Sequence, residues 1–129
     1  MRTIRVLLAD DHQLMRSGIR LMLERETDLS VVGEANDGRE AVALAKSLRP
    51  DVVVMDIGMA NLNGIEAAQQ MTGDRAEIAV VMLSMHSDES YVLRALKAGA
   101  RAYILKNSAE ADLIRAVRTV AVGNRSSAR

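Results

Sequence analysis

The run Val52-Val53-Val54-Met55-Asp56 constrains this chain more than any other stretch. Three β-branched valines and a methionine in succession leave no polar face, so they read as a strand buried on both sides. Strands of that kind belong to parallel sheets covered by helices on both faces. The run stops at a carboxylate. Ile57-Gly58-Met59-Ala60-Asn61-Leu62-Asn63-Gly64 then turns the chain toward a helical pattern. Open α/β sheets bind ligands outside the carboxyl ends of their central strands, and Asp56 stands at such an end.

The rest of the chain repeats the alternation. Ile4 to Ala9 reads as a strand ending at Asp10-Asp11, and His12 to Arg25 as a helix with Met15, Ile19, Met22 and Leu23 at helical spacing. Ser30 to Ala35 is a strand. Asp37 and Glu40 form a capping box for a helix with Ala41, Leu44, Ala45 and Leu48 on one face, closed by Pro50. A third helix is expected from about Gly64 to Thr72, and Ile78 to Leu83 forms a buried strand ending at Ser84. Ser87 is expected to cap a fourth helix, with Val92, Ala95, Leu96 and Gly99 facing inward. Ala102 to Leu105 is a short strand ending at Lys106. Ser108 is expected to cap a last helix facing inward through Leu113, Ala116, Val117 and Val120. Residues 1–122 make one domain, and 123–129 form a polar tail on which no structure is forced.

Five strands alternating with five helices give a parallel sheet. The strands ending at Ala9, Met55 and Leu83 are near-continuous apolar runs and take the centre. The second strand carries Gly33 and Glu34, the fifth is short, and both go to the edges. Right-handed crossovers then favour the order 2-1-3-4-5, the order of doubly wound flavodoxin-like folds, whose switch point lies between the first and third strands. Asp10, Asp11, Asp56, Ser84 and Lys106 therefore meet at one edge.

Composition narrows what that edge can do. The 17 Lys plus Arg balance 17 Asp plus Glu, which argues against this segment itself binding nucleic acid. There is no cysteine, hence no thiolate metal site. No apolar run approaches the roughly 20 residues of a membrane span, and the chain is expected to be cytoplasmic.

Taken singly, Asp11 reads as a cap for the helix after it, Ser84 as a loop hydroxyl and Lys106 as a solvated charge. Together, three carboxylates and one ammonium carry a formal −3 + 1 = −2. Carboxylates this close disfavour one another's ionised form unless a cation joins them. Mg²⁺ suits such a site, since it is held by one or two carboxylates plus phosphate oxygens. Phosphoryl transfer needs an in-line nucleophile and charge on the equatorial oxygens. Asp56 would be the nucleophile. Mg²⁺ and Lys106 would neutralise oxygens, and Ser84 would offer a hydroxyl.

Over about residues 1–122 the chain resembles the receiver domain of bacterial two-component response regulators. Ile4–Asp11, Val52–Asp56, Val80–Ser84 and Ala102–Lys106 match its blocks in order and spacing. Ala9-Asp10-Asp11-His12, Gly64-Ile65-Glu66-Ala67 and Leu83-Ser84-Met85-His86 resemble the NarL/FixJ-type (LuxR-like output) subfamily. The resemblance implies that Asp56 is phosphorylated by a sensor histidine kinase, with Lys106 and Ser84 acting on the phosphoryl group. It implies that Asp11, Asp56 and the Gly58 carbonyl hold the metal and that Asp10 acts through water. Ser84 and Tyr103 are the implied switch pair, and the surface they alter lies around Val92 to Gly99 and Leu113 to Val120. It further implies a phosphorylation-dependent homodimer, a protein that is a switch rather than a turnover enzyme, and DNA contact only through a C-terminal helix-turn-helix domain beyond this chain. A stand-alone receiver acting by protein–protein contact is the alternative.

Three positions depart from the family pattern. Ala60 replaces its usual proline, Ala102 a common glycine, and Asn107 follows Lys106 where many receivers carry a cis proline. Rival readings lack their signatures. No Gly/Ser/Thr-rich phosphate loop follows the first strand, as a flavin site would require. Asp10 and Asp11 are adjacent, unlike the D-x-D of haloacid-dehalogenase phosphatases. A receiver-like module that never sees phosphate would have no use for Asp10, Asp11, Asp56 and Lys106 together.

Overall fold

The computed structural model describes residues 3–59, 62–74, 78–85, 88–108 and 110–127, with backbone only for 74 and 123–127. Strands and helices alternate as β1 (Ile4–Ala9), α1 (Gln13–Glu24), β2 (Leu29–Ala35), α2 (Gly38–Leu48), β3 (Val52–Asp56), α3 (Gly64–Asp74), β4 (Ala79–Ser84), α4 (Glu89–Lys97), β5 (Ala102–Leu105) and α5 (Glu110–Ser127). All pairings are parallel, in the order β2-β1-β3-β4-β5. This is the doubly wound flavodoxin-like arrangement expected, with β2 and β5 at the edges.

The side-chain period of two splits each central strand between two cores. Leu7, Val53, Met55, Val80 and Met82 face α2, α3 and α4, where they meet Ala41, Ala45, Ala67, Ala68, Met71 and Ala95. Val6, Leu8, Val52, Val54, Val81 and Leu83 face α1 and α5, where they meet Ile19, Leu23, Leu113, Val117 and Val120. Small alanines on the first side let three helices crowd one face. Among the described residues no helix is long and apolar enough to cross a membrane.

Several local expectations are refined. Asp37 caps α2 by accepting from the Glu40 amide at 2.9 Å. The answering arm of the box, Glu40, accepts from the amide of Asn36 at 2.6 Å. The cap of α4 is Asp88, whose carboxylate accepts from the Ser90 amide at 3.1 Å; a carboxylate serves the helix N-terminus at least as well as a serine. Ser87, expected in that role, lies outside the described residues, as do Ala60 and His86. Within α4 only Ala95 is buried, and Leu96, expected to face inward, is exposed along with Leu93. The α1 cap position is His12 without a side-chain bond, so Asp11 does not cap this helix. The backbone of α5 continues through Gly123 to Ser127. Propagating a helix adds one hydrogen bond per residue at little cost once its first turns are anchored.

One ionic clasp joins α5 to the turn between α1 and β2. Arg118 on α5 donates to both oxygens of Asp28 at 2.9 Å and to Glu26 at 2.7 Å, in the turn between α1 and β2. Hydrogen bonding from Arg118 holds the Asp28 carboxyl below its ordinary range. A depressed carboxyl contributes stability above its unfolded-state pKa and loses it as pH falls through the folded value. Asp28→Asn should therefore be less stable than the parent at pH 7. The gap should close as pH is lowered through and below about 4. Urea-unfolding midpoints across that range check this; a constant gap at acid pH would show that the charge is not the cause.

Candidate functional site

The strand ends bring the expected residues together. Asp10 follows β1 directly; its amide donates to the Ala35 carbonyl at 3.1 Å, and its Oδ1 accepts from the His12 amide at 2.8 Å. Asp56 ends β3, and its Oδ1 accepts from the Gly58 amide at 3.2 Å. Asp10 and Asp56 are 2% and 5% exposed, an uncommon degree of burial for carboxylates. Lys106 comes directly after β5. Its amide donates to the Ser84 carbonyl at 2.8 Å, which extends the parallel ladder by one step and aims its stem across the sheet edge. The ammonium reaches Asp56 Oδ2 at 3.3 Å and Asp10 Oδ2 at 3.4 Å. Ser84 closes β4 and is 1% exposed. Asp11 stands at the rim, more open to solvent than Asp10.

Charge is left over at this edge. Asp10, Asp11 and Asp56 bring three carboxylates to one buried ammonium. Asp10 Oδ2 faces that ammonium without hydrogen-bond geometry and is a buried acceptor with no hydrogen-bond partner among the described residues. Such an atom carries a desolvation penalty of about 1–3 kcal/mol or more. Oxygen donors of Asp10, Asp11 and Asp56, with a ring nitrogen of His12, all lie within 4.8 Å of one another. A hard, oxygen-seeking divalent cation fits this donor set.

Glycines shape the turn after Asp56. A Cβ at Gly64 would fall 2.5 Å from the Asp56 carbonyl oxygen and 2.8 Å from the Ile57 Cα, so glycine alone allows α3 to start this close to the site. Gly58 is the opposite case: a Cβ there would meet nothing within 4 Å. Tyr103 lies on β5 opposite Met82, two residues before Ser84 on the neighbouring strand, and is partly buried against the α2–α4 side of the sheet.

Two participants escaped the sequence reading. The His12 imidazole approaches Asp11 at 3.1 Å and Asp10 at 3.3 Å. Its only sequence signal is its place directly after the acid pair. Arg16 on α1 is buried beneath the same turn, its Nη1 donating to the Asp10 carbonyl at 2.6 Å and its Nε to Glu34 at 2.7 Å. Its position beside the inward face of α1 does not announce a buried charge.

Residues 6–118 match the family described as the response regulator receiver domain. The transcriptional regulatory protein DegU of Brevibacillus brevis is 42% identical over 120 residues, covering 93% of this chain and 51% of DegU. The response regulator protein VraR of Staphylococcus aureus is 42% identical over 121 residues, covering 94% of this chain and 58% of VraR. The chain thus spans about half the length of these relatives. The solved structure of a LuxR-family two-component response regulator from Aurantimonas sp. SI85-9A1 superposes with a TM-score of 0.90 at 36% identity, covering 94% of this chain and 86% of that one. Sheet order, the family match and the sequence relatives agree, and the chain belongs to the response regulator receiver domain family, among receivers of the NarL and LuxR type.

Proposed function

We propose that Asp56 accepts a phosphoryl group from a sensor histidine kinase and that the chain acts as a switch reporting that event. The observation that carries this reading is the Lys106 ammonium, within 3.4 Å of both buried carboxylates at the sheet's switch point. A carboxylate oxygen of Asp56 attacks phosphorus in line. The new P–O bond forms as the bond to the donor's imidazole nitrogen breaks, and that nitrogen leaves with the electron pair. Lys106 turns part of its charge from Asp10 and Asp56 toward the transferred oxygens. Ser84, on the next strand, donates a hydrogen bond to one of them. Asp11, Asp56 and the Gly58 carbonyl would hold Mg²⁺, with Asp10 acting through water; when bound, the ion supplies positive charge for the phosphoryl oxygens. The buried, unsatisfied oxygen of Asp10 supports that assignment.

In this reading residues 1–122 are the phosphoacceptor unit and 123–129 begin the connection onward. DegU is named a transcriptional regulatory protein, and the match covers only 51% of DegU and 58% of VraR, which supports an output through a C-terminal DNA-binding domain and dimerisation on phosphorylation. The chain works in the cytoplasm, as a switch rather than a turnover enzyme.

Acetyl phosphate with Mg²⁺ should add one phosphate to the parent chain by intact mass. Asp56→Asn should take up none, and EDTA should abolish uptake. Equal uptake by the variant, or uptake indifferent to EDTA, would sink the assignment.

Open space at Gly58 leaves water a path to the acyl phosphate. A bulky residue there, such as Gly58→Leu, should lengthen the phosphate lifetime several-fold in a phosphate-release assay. An unchanged or shorter lifetime counts against open access.

Phosphorylation puts new charge and acceptor oxygens beside Ser84. Ser84 moves toward them, and the Tyr103 ring follows into the space behind. NMR of the beryllofluoride-bound chain should show shifts concentrated at Ser84, Tyr103 and α4. Shifts confined to the turn after Asp56 would break the coupling.

A further inference from the structure

Phosphoryl chemistry leaves one buried charge without a task. Arg16 is the fourth residue of α1, and its guanidinium lies under the turn that carries Asp10 and Asp11. Pairing with Glu34 does not require it to be there, because Glu34 also receives Arg20 from the same helix, at a more exposed position. What Arg16 adds is a set of contacts to backbone and amide: the Asp10 carbonyl at 2.6 Å, Asn36 Oδ1 at 2.8 Å and the Ala35 carbonyl at 3.5 Å. All three are reached by Nη1 while Nε holds Glu34, and a guanidinium keeps those two nitrogens rigidly in one plane, which the single nitrogen of an ammonium cannot do.

The Asp10 carbonyl is an informative partner. It belongs to the peptide plane that ends at the Asp11 Cα, so fixing its direction fixes where Asp11 begins. The Asp10 amide is tied to the Ala35 carbonyl, and Asp10 Oδ1 is tied to the His12 amide. With Arg16 added, the Asp10 backbone is held on both sides and anchored to the end of β2. We propose that Arg16 is a positioning residue for the acidic site: its guanidinium locks the Asp10–Asp11 peptide so that both carboxylates converge on Asp56 before a cation arrives. The proposal rests on the reading of this edge as a Mg²⁺ site and extends it by one residue outside the donor set.

The test compares the full chain with Arg16→Met, Arg16→Lys and Ile4→Ala, the last a core truncation at the amino end of β1, the opposite end of that strand from Asp10. Mg²⁺ titration followed by amide NMR shifts gives affinity, urea unfolding gives stability, and amide exchange at Asp11 and His12 reports order in the turn. Arg16→Met should weaken Mg²⁺ binding about tenfold or more, the usual cost of losing an outer-sphere support. Arg16→Lys should recover part of the stability and little of the affinity. Ile4→Ala should lose stability with affinity unchanged. Affinity within about twofold of the parent in Arg16→Met would overturn the proposal, and so would an equal loss in Ile4→Ala. If the parent shows no Mg²⁺-dependent shifts, the metal reading fails by itself, and exchange decides for Arg16. Faster exchange at Asp11 and His12 than along α5 upholds it, and uniform exchange overturns it. Should Arg16→Met not fold, Arg16→Lys is judged by the same measurements.

Discussion

One ammonium between two buried carboxylates is the interaction on which the rest of this structure depends. Removing charges from water costs several kcal/mol per ion, and only close, well-placed partners offset it. Lys106 offsets part of it for Asp10 and Asp56 at 3.3–3.4 Å, leaving one Asp10 oxygen without a hydrogen bond, and one positive charge cannot satisfy three acids. The remainder is a standing demand for positive charge at the sheet edge. The parallel register sustains it: β1 beside β3, β3 beside β4 and β4 beside β5 bring the four strand ends level. A slip of one residue in any pair would turn the next acid or base toward the wrong face.

The sheet was legible because its physics is local to each strand. Unbroken β-branched runs mark strands covered on both faces, while Gly33, Glu34 and the brevity of β5 mark the edges. The residues that meet at the candidate site were legible for a related reason: each ends or directly follows such a run. What stayed hidden depends on tertiary surroundings. Arg16 lies beside inward-facing positions of α1, and nothing in its spacing says that a guanidinium fills the space under the turn. His12 draws its place from side chains on either side of it. In α4 the helical period was right, yet Leu96 faces outward. The helix rests on the sheet through a single alanine, Ala95, and spacing alone does not say which of its apolar neighbours is left outside.

The two faces of the sheet are built differently. Toward α1 and α5, large side chains such as Leu23, Leu113 and Val117 fill the layer. Toward α4, Ala95 is the one buried residue of the helix, with Leu93 and Leu96 left at the surface. An element held by few buried contacts belongs to the low-stability end of a protein's local unfolding energies. Tyr103 and Ser84 sit between that weakly held helix and the charged edge. A small electrostatic change there meets a weakly held part of the fold.

The clasp of Arg118 on Asp28 and Glu26 joins positions 90 and 92 residues apart. Closing a loop of that size costs entropy before any contact repays it. During synthesis, β1 to β4 can emerge and pair while one face of their sheet still lacks Leu113, Val117 and Val120. That face stays wet until α5 leaves the ribosome and packs onto β3, β4 and β5. The domain therefore seals from its last element, and the arginine that secures the seal is among the last of its ionic side chains to be made.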